Sequence, residues 1–294
     1  MTERNANAGG AKAKAKRKLI AVLAAIAVVV VAIIGVFAYQ KSQDKGRDVV
    51  TVGIVGSTDN AIWAAVQSEL DKRGSNVKVE VKSFQDGQYA NQAVDNGDLD
   101  LTAFQHQAFL DSEIKQHGYK VAVLTNTVIQ PLNVYSDKVK SVDELKDGDT
   151  IAIPNNATNA GRALKVLQSA GVIKVDPAKG YTPSTDDITD NPRHLKFDQV
   201  DPTQIMNLLP DYAAGITNTG SVLDSGHSPD EAIYKVPEDL NSEYNKPYIN
   251  VITSREDRKD TPAFKEIIDA YHTKAVADAI QTAYKGAVKP AFTY

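Results

Sequence analysis

The chain has 294 residues, is 42% hydrophobic and 24% charged, and contains no cysteine; that is a globular composition with length enough for two lobes. The missing thiols exclude a cysteine nucleophile, cysteine-ligated zinc, iron–sulfur ligation, disulfides and an acylated N-terminal cysteine. Charge divides sharply: residues 1–18 carry six basic side chains against Glu3, residues 19–39 carry none, and residues 40–294 hold 27 basic and 36 acidic ones, a balance that opposes a nucleic-acid partner.

Leu19–Tyr39 is uncharged and rich in Val, Ala, Ile and Leu. As a helix it reaches roughly 31 Å, the thickness of a hydrocarbon core. The basic flank predicts a cytoplasmic residue 1–18 segment and a single transmembrane signal anchor over 19–39, with everything after residue 40 outside. A cleaved secretory signal is the competing reading, with Val36-Phe37-Ala38 as an acceptable cleavage site. Both readings export the rest of the chain. Gln40–Asp48 is a polar tether.

From residue 49 short β-rich runs alternate with amphipathic stretches. Val49–Val55 predicts a strand, and Ile62, Ala65, Val66, Glu69 and Leu70 follow at helical spacing. Val77–Val81 alternates as a strand, Leu99–Ala103 is another, and 105–117 reads as a helix. Ser141-Val142-Asp143-Glu144 is a capping box opening a short helix. Thr150–Ile153 predicts a strand feeding a helix from Thr158 to Ala170. Asp201-Pro202 predicts the start of a helix through Leu209, and Ala213–Ile216 a strand. Tyr248–Thr253 is the last predicted strand, before helices near 262–273 and 275–285. Strands separated by helices imply βαβ units and mainly parallel sheets, with ligands beyond the carboxyl ends of the strands.

Three segments carry candidate binding groups. In Thr150–Arg162 a buried strand enters a polar turn and a helix whose first free N–H groups attract anions. Arg162 can hold a carboxylate through two parallel hydrogen bonds, with Asn155 and Asn159 as further polar contacts; the alternative is an Asn-rich cap beside a surface arginine. Phe104, His106 and Phe109, just past a strand end, can line a pocket for an apolar side chain such as a thioether, or else serve as core and cap. Tyr248 and Asn250 enter a strand, either as contacts or as edge residues. Catalytic constellations are absent: the five histidines show no His-Glu-x-x-His spacing, Gly53-Ile54-Val55-Gly56 lacks the third glycine of a dinucleotide loop, and no phosphate loop or nucleophile elbow occurs.

Taken together, these segments resemble the NlpA family of methionine-binding lipoproteins that serve ABC importers. Ile153–Leu164 is similar to that family's Ile-Pro-Asn-x-x-Thr-Asn-x-Gly-Arg-Ala-Leu segment, Phe104-Gln105-His106 to its aromatic segment, and Pro247-Tyr248-x-Asn250 to its Pro-Tyr-x-Asn motif. Tyr284–Phe292 is similar to its C-terminal signature, and Asn191-Pro192 and Ser141–Lys146 also fit. The resemblance implies an α/β, two-lobed periplasmic-binding-protein-like fold of type II, with lobe 1 over 49–130 plus 248–294 and lobe 2 over 131–247. It implies a non-enzymatic receptor without cofactor or metal, a monomer that delivers an amino acid, methionine first, to a permease and its ATPase subunits. Another amino acid, a methionyl dipeptide and a non-transport interaction protein are the other readings. By analogy Arg162 binds the α-carboxylate, Asn250 the α-amino or carboxylate group, and Phe104, His106 and Tyr248 surround the side chain. Departures fall at Asp59-Asn60, Thr102, Ala103, Ala108-Phe109 and Thr217, where the family carries Pro-His, Asn-Tyr, Pro-Tyr and an amide. The lipobox cysteine is missing too, and the apolar run is its substitute anchor.

Overall fold

The computed structural model describes residues 46–237, 242–243 and 245–294; the basic segment and apolar run assigned to a membrane anchor lie outside the described residues. Strand β1 (Asp48–Val55) buries Val50, Val52 and Ile54, and pairs in parallel with β2 (Val77–Phe84) across helix α1 (Asn60–Lys72). Helix α1 turns Ile62, Trp63, Val66 and Leu70 onto that sheet, the three- and four-residue spacing that puts side chains on one face. Helix α2 (Gly87–Asn96) is capped by the Asp86 carboxylate, which accepts from the Gln88 amide at 2.8 Å. The chain continues through β3 (Leu101–Thr102), α3 (Gln107–His117), β4 (Val121–Ile129) and β5 (Leu132–Tyr135). Next come β6 (Thr150–Pro154), α4 (Ala157–Ser169), β7 (Lys174–Val175), β8 (Ile188–Asp190), β9 (Lys196–Val200), β10 (Ala214–Asn218) and α5 (Thr219–Asp224). The last elements are β11 (Ile249–Arg255), α6 (Pro262–Tyr271), α7 (Lys274–Ala283) and β12 (Lys289–Pro290).

Two main sheets result. One has the order β12-β4-β11-β3-β1-β2 and the other β5-β10-β6-β9, with a separate β7-β8 pair. Each main sheet has its own apolar core: Val52, Ile54, Trp63, Leu101, Phe264 and Ile280 belong to the first, and Ile151, Ile153, Leu164, Leu167, Val175 and Ile216 to the second. Only Gln130 and Pro131 separate β4 of the first sheet from β5 of the second, so the chain passes between them in two residues.

Two expectations are corrected. The sheets are mixed, not mainly parallel: β4 pairs antiparallel with β11 and β12, β11 antiparallel with β3, and β5 antiparallel with β10. Parallel pairing is confined to β1-β2, β1-β3, β10-β6 and β6-β9, where helices supply the crossovers. The helix expected over Asp201–Leu209 is a run of turns ending in a 3-10 turn at Leu209–Asp211. The Asp201 carboxylate takes the Thr203 amide at 2.9 Å and its hydroxyl at 2.8 Å, which closes a turn in place of a helical start. Pro210 then lacks the N–H that a continuing helix requires.

Helix α4 lies close to the Thr182-Pro183 loop at Gly161. A Cβ on Gly161 would stand 2.8 Å from the Thr182 Cα and 2.9 Å from the Pro183 Cδ. Alanine is the better helix former by about 1 kcal/mol, yet overpacking against backbone costs more. Gly161→Ala is expected to destabilise by about 1–2 kcal/mol, read as a lower urea midpoint at unchanged slope. A higher midpoint would show that the loop yields.

Candidate functional site

A cavity of about 820 Å3 opens where the carboxyl ends of β1, β2, β6 and β10 face one another, the position in which α/β folds place ligands. Its size suits a small molecule. Both main sheets contribute walls: Ser57, Phe104 and His106 from the first side, and Asn159, Arg162 and Asn218 from the second.

The Asn-rich turn works as its sequence suggests. Asn156 caps α4, its Oδ1 accepting the Asn159 amide at 3.0 Å. Arg162 sits in the second turn of that helix and is 4% exposed. One Nη donates to the Gln130 carbonyl at 2.7 Å, and the guanidinium lies 4.3 Å from the centre of the Tyr248 ring. A backbone acceptor on one edge and an aromatic face beneath hold the guanidinium plane in one orientation at the cavity wall.

His106 caps α3. Its Nδ1 accepts the Phe109 amide at 3.0 Å, which leaves the proton on Nε2 to donate to Asn159 Oδ1 at 3.0 Å. Burial, and then the neighbouring Arg162 charge, push its pKa down to about 3, so the imidazole is neutral across the physiological range. It links α3 to α4, and its ring meets Tyr248 edge-on at 5.4 Å. Phe104 and Phe109 meet edge-to-face at 6.1 Å on the same side. The Asn250 amide donates to the Phe104 carbonyl at 3.2 Å and thereby fixes the backbone that carries the aromatic group.

Of the nine sequence-predicted residues, Phe104, His106, Phe109, Asn155, Asn159, Arg162 and Asn250 line this one cavity. Asn155 is exposed there, its backbone amide held by the Val200 carbonyl at 2.9 Å. Tyr248 is fully buried behind Arg162 and outside the lining. Thr217 is also fully buried and outside the lining, its hydroxyl donating to the Pro202 carbonyl at 2.9 Å. The next residue, Asn218, reaches the cavity instead, because neighbouring strand residues face opposite ways.

Sequence reasoning passed over further wall residues, among them Gln130, Asp59, Asp224 and Tyr284. The Tyr284 hydroxyl donates to Asp59 Oδ1 at 2.6 Å and accepts from Gln130 Nε2 at 2.9 Å. Burial, with a further contribution from the charge of Asp224, pushes the Asp59 carboxyl up from 3.8 to about 6. Tyr284 lay within the C-terminal signature and Asp59 among the departures; what joins them is more than 200 residues of chain, for which a single sequence gives no signal. Among the described residues no cluster of His, Asp or Glu side chains is placed to hold a metal ion, and no helix is long and apolar enough to cross a membrane. The wall combines a buried cation, fixed amides and aromatic side chains, groups suited to holding a small polar ligand.

Comparison with known proteins agrees with this geometry. The profile of the NlpA lipoprotein family matches residues 50–292. The D-methionine-binding lipoprotein MetQ of Yersinia pestis is 36% identical over 245 residues, 83% of this chain and 88% of that protein. Among solved structures, a nutrient binding protein from Burkholderia cenocepacia bound to methionine superposes with a TM-score of 0.75 at 38% identity, covering 83% of this chain and all of that one. The substrate binding protein of a methionine transporter from Streptococcus pneumoniae gives 0.75 at 30% identity, over 82% of this chain and 95% of that chain. The two sheets with a cavity between them are thus the mixed α/β, two-lobed fold of periplasmic binding proteins.

Proposed function

The chain belongs to the NlpA lipoprotein family, and on that footing we propose that it is the extracytoplasmic substrate-binding protein of an ABC importer, with methionine as its ligand. The observation that carries this reading is Arg162, buried at the cavity wall with its guanidinium oriented by Gln130 and Tyr248. The ligand α-carboxylate lies against that guanidinium, and Asn250 and Asn159 supply amides for the polar end. Phe104 and Phe109 receive the thioether, whose sulfur packs on ring edges. Neutral His106 adds no second positive charge, so Arg162 alone sets the carboxylate's position.

The lobes divide as the chain does, 49–130 with 248–294 against 131–247, in the type II arrangement. Gln130-Pro131 and the 245–248 segment serve as the hinge. Closure marks the loaded state for the permease, while ATP is hydrolysed on separate subunits. Residues 19–39 anchor a monomeric receptor to the membrane in place of the lipid carried by its lipoprotein relatives.

Thermal melting of residues 46–294, refolded to strip carried-over solute, tests the ligand. The panel holds both enantiomers of methionine, methionyl dipeptides and the other amino acids. At 100 times its dissociation constant a ligand stabilises by about 2.7 kcal/mol, and the expected rise in Tm is roughly 5–10 °C. A rise with methionine alone supports the assignment, and a rise with another solute moves specificity to the wall residues that depart from the family. No rise with any member would overturn the receptor reading.

A further inference from the structure

Asp224, the last residue of α5, stands on the second-sheet side of the cavity, while Ser57 and Thr58 lie in the β1–α1 turn on the first-sheet side. The Asp224 carboxylate spans the two. It accepts the Ser57 amide at 3.2 and 3.1 Å on its two oxygens, the Ser57 hydroxyl at 2.7 Å and the Thr58 hydroxyl at 2.9 Å. Two hydroxyls and an amide converging on one carboxylate form a charge-assisted set, stronger than neutral pairs. Gly56 makes the approach possible: its φ is +76°, and a Cβ there would stand 1.9 Å from Asp224 Oδ2. Any side chain at 56 would displace the carboxylate.

A second bridge ties the same helix to the same turn. Gln130 Oε1 accepts the Gly220 amide at 3.3 Å, and Gln130 Nε2 donates to the Tyr284 hydroxyl, which donates to Asp59. Helix α5 is therefore held near its start and at its end to residues 57–59 and to the crossing segment.

We propose that Asp224 is a positioning residue that clasps the lobes shut over the cavity, so that it governs how long a ligand stays bound. The inference rests on the receptor reading above. The carboxylate itself acts on Ser57 and Thr58, across the cleft from its own helix. Opening the lobes breaks every one of these bonds together, so the clasp slows every step that needs an open cleft, release included.

The chain contains no cysteine, so Lys72→Cys with Lys174→Cys gives one clean spin-label pair, both exposed and one on each side of the cleft. The full chain in detergent is compared with Asp224→Ala and with Ser57→Ala/Thr58→Ala, each without ligand. Both variants are expected to lengthen or broaden the label distance by several ångströms. Release of L- or D-methionine, measured by stopped flow, should quicken about tenfold or more, and capture should quicken too, since the ligand-free lobes must open before a ligand enters. Combining the two variants should add little, since both remove one clasp. Unchanged distances in folded variants, or an unchanged release rate, would overturn the clasp. If neither methionine enantiomer binds but the distances still change, the clasp stands and the ligand assignment fails.

Discussion

Arg162→Ala is expected to weaken ligand binding by about 2–5 kcal/mol, the cost of leaving one partner of a desolvated charge pair alone. In affinity that is roughly 30-fold to several thousand-fold, measured by titration calorimetry with both methionine enantiomers. The size follows from burial: the side chain is 4% exposed and stacked on Tyr248, so solvent cannot replace it when a carboxylate enters. Arg162→Lys should fall between wild type and alanine, since lysine keeps the charge and loses the planar fork. Because the guanidinium also donates to the Gln130 carbonyl, each variant's Tm without ligand is needed to separate lost affinity from lost fold. A folded alanine variant with affinity reduced less than threefold would remove Arg162 from the site.

The reason Arg162 was legible is that its whole apparatus is local. Strand β6, the Asn156 cap and α4 run consecutively from Thr150 to Ser169, and strand-to-helix periodicity plus a capping side chain are sequence-level signals. The aromatic group was legible for the same reason, as His106 caps the helix that its own segment begins. What failed is non-local or depends on parity. Strand β4 was missed because its burial does not alternate cleanly, and its pairing with β11 joins residues more than 100 positions apart. Thr217 and Asn218 differ by one position, and in a strand one position exchanges cavity for core. The Asp224 clasp joins residues 167 positions apart through an exposed carboxylate, and an aspartate ending a six-residue helix looks like any other in sequence. The helix expected after Asp201 shows local signals in competition: a capping aspartate and a turn-closing aspartate are the same residue, and Pro210 decided between them.

Asp59→Asn is expected to stabilise the protein near neutral pH, by an amount that depends on pH in a definite sense. Burial raises the Asp59 carboxyl to about 6 from 3.8, the Tyr284 hydrogen bond works against that rise, and the charge of Asp224 adds to it. The folded chain therefore holds a proton that the unfolded chain releases between about pH 4 and 6. The stability this proton contributes is fully present below about pH 4 and is lost as pH rises through 6. At 1.36 kcal/mol for each factor of ten in proton affinity, the ionised carboxylate costs at most about 3 kcal/mol above pH 7. Asparagine carries no charge and keeps an acceptor for Tyr284. Tyr271, whose hydroxyl burial also pushes up, is the other titratable group facing Asp59. His106 acts in the opposite sense, since a buried neutral imidazole loses stability as pH falls below about 6.5, so the informative quantity is the difference between variant and wild type. Urea unfolding at pH 4.5, 6 and 7.5 should show that difference growing with pH, from about 1 kcal/mol at the lowest to about 3 kcal/mol at the highest. A constant difference across the three values would mean that Asp59 is already ionised at the lowest, and that the cavity wall is wetter than its burial indicates.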